Sequence, residues 1–237
     1  MTTRLAPCLV FVGVAACSSP LDVGTNIVDA GDANKDDDHG TIGPPDAKRM
    51  FLTSATYTGN LATQGRGEST PPDKDPGANG ADKLCNTAAA AANLGGTWRA
   101  WISSHVPDKD PEATAHHAID RIAEVPGGWY NVRRNARLFA NKSNLMTVPD
   151  AREWHANITG PSLVQDEFGN RAADGVFAWT GTDSGGQLDR EGATCKAWTA
   201  SSPFSGEAGA PARPPNEWTD VATYPCEQRG HLYCFEQ

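Results

Sequence analysis

The most regular pattern in the chain is a helix followed closely by a strand. The helix is predicted to start at Gly80, with Asn79 or Gly80 as its cap, and to run through Ala88–Ala92, an unbroken stretch of the strongest helix former. The Asn-Leu-Gly-Gly segment at 93–96 ends it, because asparagine and glycine accept the left-handed backbone of a helix stop. Side chains over Trp98–Ser103 then alternate with a period of two, which predicts a strand.

Shorter apolar stretches predict further strands at Met50–Ser54, Val176–Thr180, Cys195–Thr199 and Leu232–Phe235. Broken apolar patches at 120–130 and 138–146 indicate short strands or loops, and Trp154 is a candidate core anchor. Segments rich in Gly, Pro and polar residues predict long loops at Asn60–Asn79, Gly181–Thr194 and Pro203–Asn216. The pattern as a whole predicts an α+β fold with one or two helices and about eight short, mostly antiparallel strands.

Composition narrows the classes of partner. The 237 residues carry a net charge of −9, which argues against nucleic acid and against an anionic membrane surface as binding partners. Only 38% of the residues are hydrophobic, and the chain has 24 glycines and 17 prolines, so much of it is loop. Seven tryptophans offset the small apolar fraction because each buries a large area.

The N-terminus has the pattern of a lipoprotein signal peptide, residues 1–16. Leu5–Ala16 is an apolar run too short to span a bilayer, and it ends in Val-Ala-Ala before Cys17. This end resembles the bacterial lipobox, in which the cysteine is acylated, so Cys17 is the predicted lipidation site. An ordinary cleaved secretory signal remains the alternative. Ser18 is not the aspartate that retains lipoproteins at the inner membrane, so we expect anchoring to the outer membrane or cell surface of a Gram-negative bacterium.

An acidic tether is predicted at 17–47, and a folded domain at 48–237. The tether is rich in aspartate and has little apolar surface to bury. Its run Asp32–Asp38 lacks the glycine and the closing glutamate of an EF-hand calcium loop, so a solvated linker is the better interpretation.

Four cysteines remain for the folded domain: Cys85, Cys195, Cys226 and Cys234. An even number of cysteines in an exported domain predicts two disulfides. Cys85 lies one turn into the helix, on the side of Leu84 and Ala88 that should face the core, and its partner is expected in the C-terminal stretch. Spacing alone leaves three pairings open.

A set of short motifs occurs in a fixed order along the folded domain: Cys85–Ala89, Leu94–Ser104, Trp179–Asp183, Cys195–Trp198, Cys226 and Leu232–Glu236. In this order they resemble endostatin, the C-terminal domain of certain collagens, and a bacterial lipoprotein domain family of unknown function. Trp218-Thr-Asp220 before Cys226 is similar to the final motif of C-type lectins, an architecture to which endostatin belongs. The resemblance implies a C-type-lectin-like fold in which the first and last strands pair. It also implies nested disulfides, Cys85–Cys234 outside and Cys195–Cys226 inside.

The sequence departs from the functional sites of these families. No Glu-Pro-Asn or Gln-Pro-Asp triplet precedes Cys195, so the calcium and sugar ligands of lectins are incomplete. Arg133, Arg134 and Arg137 form only a small basic cluster, and the zinc-binding histidines of endostatin have no counterpart in Lys48–Tyr57. The remaining calcium candidates are single acids in the loop region: Asp183, Asp189, Glu191 and Asp220.

Sequence motifs for catalysis are absent. The chain has no Gly-x-Ser-x-Gly, no His-Glu-x-x-His, no P-loop and no dinucleotide fingerprint. His116 and His117 are neighbours whose side chains rarely face one site, and they are interpreted as exposed. We therefore expect no catalytic residues, no metal and no cofactor.

The resulting hypothesis is a lipid-anchored, non-catalytic binding module that recognises an extracellular protein or glycan through its loops. The alternatives are a passive envelope lipoprotein without a specific ligand and an envelope hydrolase. The ligand-binding residues are not predicted from the sequence.

Overall fold

Two β-sheets and one long helix form an α+β fold in the described part of the chain. The computed structural model describes residues 44–66, 75–105, 115–146, 164–211 and 217–237. The predicted signal peptide, lipidation site Cys17, the acidic tether up to residue 43 and the predicted core residue Trp154 lie outside the described residues.

Eight strands are present in the described residues: β1 (Lys48–Leu52), β2 (Trp98–Ala100), β3 (Trp129–Tyr130), β4 (Arg137–Phe139), β5 (Ala178–Trp179), β6 (Ser205–Gly209), β7 (Ala222–Pro225) and β8 (Tyr233–Glu236). One sheet has the order β2-β8-β1-β3-β4 and the other the order β5-β6-β7. The helices are α1 (Leu61–Gln64), α2 (Pro76–Ala91), α3 (Ala118–Arg121) and α4 (Ser143–Met146). All strand pairings are antiparallel except β1 with β3.

The first and last strands pair at the centre of the larger sheet, where Phe51 of β1 lies opposite Cys234 of β8. Phe51 faces one core cluster, together with α2 and both disulfides. Its neighbour Met50 faces a second cluster on the other side of the sheet. Successive strand residues point to opposite faces, so this sheet is buried on both sides.

Helix α2 begins earlier than the sequence predicts. Its N-cap is Asp75 rather than Asn79 or Gly80, the Asp75 side chain accepts a hydrogen bond from the Ala78 amide at 3.1 Å, and Pro76 occupies the first turn. The interior Gly80 is explained by packing, because a Cβ there would collide with the Leu61 carbonyl of α1. Close helix contact thus outweighs the low helix propensity of glycine.

Two predicted loops contain regular structure, and these predictions are corrected. Asn60–Asn79 includes α1 and the start of α2, and Pro203–Asn216 includes β6. Small residues dominate β6, so its strand character comes from pairing on both sides with β5 and β7. Residues 67–74 and 212–216 lie outside the described residues.

The predicted strand Cys195–Thr199 is wrong. Cys195–Trp198 is a single left-handed helical turn, with φ between 48° and 59° at its four residues. Such a conformation is unfavourable for residues with a Cβ and must be held by its surroundings. The turn is fixed by the Cys195 disulfide, by the Thr194 side chain that caps it, and by the Trp198 indole, which donates to the Ser103 carbonyl at 2.7 Å.

Two disulfides connect these elements. Cys85 of α2 bonds Cys234 of β8, and Cys195 of the left-handed turn bonds Cys226 after β7. These are the pairs that the resemblance implies. In the chain-entropy model, loops of 149 and 31 residues contribute about 5 and roughly 4 kcal/mol as upper values.

Aromatic side chains fill the second core cluster. The Trp218 ring lies 5.1 Å from those of Trp101 and Phe139, and the Phe235 ring lies 5.5 Å from that of Trp129. Rings at these distances add attraction beyond their buried area. None of the described helices is long and apolar enough to cross a membrane.

Candidate functional site

A rigid loop follows β5 and forms one side of the candidate site. The Asp183 carboxylate accepts hydrogen bonds from the amides of Gly185 and Gln187, both at 2.8 Å. The Gly186 amide donates to the Asp183 carbonyl at 3.1 Å, and Gly186 has the positive φ that the turn requires. The loop is therefore held by hydrogen bonds to the Asp183 side chain and by one within its own backbone.

The same loop is tied to α3 and to the end of β5. The Leu188 amide donates to His117 Nδ1 at 2.9 Å, and the Ile119 amide donates to the Gly186 carbonyl at 3.1 Å. The Asp189 amide donates to the Gly181 carbonyl at 3.1 Å. These bonds fix the position of the backbone that carries Asp189 and Arg190.

Glu207, on strand β6, forms the floor of the site. Its side chain is 1% exposed, and its backbone carbonyl accepts from the amides of Thr180 and Gly181. The exposed Arg190 reaches over it: Arg190 Nε lies 2.6 Å from Asp189 Oδ2, and Arg190 Nη2 lies 3.3 Å from Glu207 Oε2. The solvent-exposed Arg190 thus bridges the buried carboxylate of Glu207 and the loop carboxylate of Asp189.

Asp220 completes the group. Its position follows from Thr219, whose carbonyl accepts from the Thr180 hydroxyl at 2.6 Å and whose hydroxyl accepts from the Trp101 indole at 2.7 Å. The Asp220 carboxyl is close enough to the Glu207 carboxyl for its charge to raise the pKa of Glu207. We call Asp183, Asp189, Glu207 and Asp220 the acidic site.

Electrostatics in the acidic site favour protonation of the innermost acid. Burial, together with the negative charges of Asp220 and Asp189, raises the pKa of Glu207 to about 7. Burial and the charges of Asp189 and Asp183 also raise the pKa of Asp220. A protonated Glu207 can donate to Asp220, whereas an ionised Glu207 leaves its Oε1 atom buried without a donor among the described residues.

The calcium candidates from the sequence meet only in part. Asp183, Asp189 and Asp220 belong to the acidic site, but Glu191 points to His105 Nε2, 3.7 Å away. Within the described ranges, no group of three or more Asp, Glu, His or Cys side chains is arranged to hold a metal ion. The acids therefore form an anionic surface without the convergent oxygens of a calcium site.

A second polar cluster holds the start of α2. The carboxylate of Asp75, 4% exposed, accepts from the Ser104 hydroxyl and contacts His116 Nδ1 at 2.9 Å. The predicted exposure of His116 and His117 is wrong, because both are partly buried and hydrogen-bonded. The acid lies between the serine and the histidine, so this order does not form a serine–base pair.

Sequence reasoning missed Glu207 and Arg190. Glu207 lies in a run of Ser, Gly and Ala that predicts a loop, and only the pairing of β6 brings it beside the loop at 183–190. A single glutamate among small residues was the only local signal. The predicted recognition loops Gly181–Thr194 and Pro203–Asn216 do meet here, since the second contributes Glu207.

Comparison with known proteins adds no family assignment. No protein-family model matches the chain, and no curated protein matches it.

Proposed function

We propose that this chain is a lipid-anchored, C-type-lectin-like binding module that recognises an extracellular protein or glycan through the acidic site, without catalysis. Two nested disulfides and the pairing of first and last strands support the lectin-like fold. The lipobox resemblance at Cys17 supports anchoring to the outer membrane or cell surface.

The observation that carries the proposal is the rigidity of the loop at 183–190. Its acids are presented on a frame of internal hydrogen bonds and neighbouring disulfides, so little conformational entropy is lost when a ligand binds.

The test is an array of extracellular matrix proteins and glycans, probed with the full chain with and without calcium. We expect binding that does not require calcium and that Asp183→Ala abolishes, because the Asp183 carboxylate holds the loop. Asp166→Ala is the matched control: Asp166 accepts from the Phe168 and Asn170 amides in an equivalent turn elsewhere. No binding, or equal loss in both variants, would favour the passive lipoprotein.

A hydrolase is the second candidate, and the Glu207–Asp220 pair is the observation that favours it. Two adjacent carboxyls, one of them with a pKa near neutrality, can serve as acid and base. Arg190 forms an ion pair with Glu207 in the structure, which favours binding over turnover. Release of products from any ligand found on the array, lost in Glu207→Gln, would support the hydrolase.

A further inference from the structure

Arg190 is bound to the acidic site through two ion-pair contacts. Its side chain is 64% exposed, and it contacts one oxygen of Asp189 and one oxygen of Glu207. A guanidinium has five N–H donors, so most of its capacity is unused in these two contacts. Because the side chain is already largely in water, exchanging it for another guanidinium costs little, since Glu207 keeps a partner.

The acidic site has acceptor capacity that Arg190 does not fill. Glu207 Oε1 is buried and has no donor in the described part of the chain. Burying an ionised oxygen without a donor is costly, and an incoming N–H group would relieve that cost. Three carboxyls, those of Asp189, Glu207 and Asp220, attract this one cation, and no other Lys or Arg of the described residues forms an ion pair with the acidic site.

The acidic site suits a guanidinium better than a metal ion. Hard metal ions require several converging oxygens, and the described residues offer no such set. A planar guanidinium instead matches carboxylates through directed N–H bonds, and the present occupant is itself a guanidinium.

We propose that the acidic site binds an arginine side chain of an extracellular protein segment, which takes the place of Arg190 and donates to Glu207 and Asp189. This inference rests on the proposed binding function and specifies its ligand chemistry. Arg190 then acts as an internal competitor that shields the buried carboxylate until a ligand arrives.

The test uses the full chain in detergent and isothermal titration with three peptides of equal length: tetra-arginine, tetra-lysine and tetra-citrulline. At pH 8 and low salt we expect arginine to bind more tightly than lysine, and citrulline not to bind. Asp189→Asn and Glu207→Gln should each weaken arginine binding at least about tenfold. Asp174→Asn and Glu227→Gln remove the same charges from exposed positions and should change it less than about twofold.

The change in arginine affinity in Arg190→Gln separates displacement of Arg190 from general charge attraction. This substitution removes the competitor, so arginine binding should tighten several-fold, whereas general charge attraction predicts only the small gain of one lost positive charge. Lys83→Gln, which removes one positive charge from an exposed position of α2, calibrates that general effect. Equal affinity for citrulline, or no greater change in Arg190→Gln than general charge predicts, would overturn the inference.

Failure of the inference is distinguishable from failure of the proposed function. One outcome is that the array finds a ligand whose binding depends on Asp183 while the affinity for tetra-arginine is unchanged in Glu207→Gln. That result would support the binding module and refute the arginine site. If tetra-arginine binds as expected and the array is empty, the arginine site stands and the proposed recognition of an extracellular protein or glycan loses its support. Thermal unfolding of each variant confirms that the fold is intact.

Discussion

Arg49 and Glu236 form a doubly hydrogen-bonded ion pair that joins strands β1 and β8 across 187 residues of sequence. The Nε–Oε2 and Nη2–Oε1 distances are 2.8 and 2.9 Å, and the Arg49 amide also donates to Glu236. Burial alone would raise the pKa of Glu236, but the hydrogen bonds and charge of Arg49 lower it below its ordinary value.

Replacing Arg49 by methionine should therefore lower the free energy of unfolding by about 3 kcal/mol at pH 7, since Glu236 would be left largely buried without its partner. The depressed pKa of Glu236 means that the pair stabilises above the ordinary glutamate pKa and that this contribution fades as the pH falls through the folded value. Urea unfolding at pH 7 and pH 3 measures both effects. Lys83→Met, at an exposed position of α2, is the control; a loss below about 1 kcal/mol in Arg49→Met would contradict the account.

Glu207→Gln should change how stability depends on pH. In the wild type the pKa of Glu207 is raised from 4.5 to about 7, so the folded state holds a proton that the unfolded state releases in this range. This group therefore makes the protein less stable as the pH rises from about 4.5 to 7. The glutamine variant lacks that penalty and should be more stable than the wild type at pH 8 by up to about 3 kcal/mol.

At pH 4 the same variant and the wild type should unfold at similar urea concentrations. Glu227→Gln, an exposed glutamate changed in the same way, should follow the wild type at both pH values. A Glu207→Gln chain that is less stable than the wild type at pH 8 would show that Arg190 fully compensates the buried charge.

The two disulfides should contribute unequally. Because Cys85 and Cys234 close the longer loop, replacing both by alanine should cost about 5 kcal/mol, and replacing Cys195 and Cys226 roughly 4 kcal/mol, as upper values. Thermal unfolding of the two double variants measures the difference. Peptide mapping of the oxidised protein should recover the pairs 85–234 and 195–226, and any other pairing would invalidate the fold.

Cys17→Ser should release the protein from the membrane fraction. We propose that a lipid on Cys17 anchors the protein, and serine cannot be acylated in the same way. Fractionation of cells, followed by immunoblotting of soluble and membrane fractions, measures the shift. Cys8→Ser, within the same signal segment, is the control, and unchanged membrane retention of Cys17→Ser would refute anchoring at this residue.

Much of the frame around α2 could be predicted from local sequence. The alanine run, the stop at 93–96 and the strand that starts at Trp98 all appear, since Asn93, Gly95 and Gly96 adopt positive φ. The sequence does contain a signal for the true start of α2. Asp75 followed by Pro76 is typical of an N-cap and the first turn of a helix. The glycines after Pro76 argued against a helix. Packing explains them, because Gly80 lies against α1 and Gly77 lies against Ala197 and Trp198 of the left-handed turn.

The left-handed turn at Cys195 and the acidic site could not be predicted locally. The short apolar stretch at 195–199 predicts a strand, but the disulfide to Cys226 and the hydrogen bond from the Trp198 indole to the Ser103 carbonyl impose a turn. Glu207 became a site residue only through the pairing of β6 with its two neighbours. Functional polar groups assembled from separate segments depend on tertiary contacts, which composition and periodicity do not encode.

The most direct test of the acidic site is a two-dimensional ¹⁵N–¹H NMR titration of the full chain in detergent with the tetra-arginine peptide at pH 8. The account predicts that the largest shifts fall on the amides of 183–190, Glu207 and Asp220, and that they disappear in Glu207→Gln. Shifts spread over the whole acidic surface, or the same shifts in Glu207→Gln, would contradict the claim that this buried carboxylate and its loop form the recognition site.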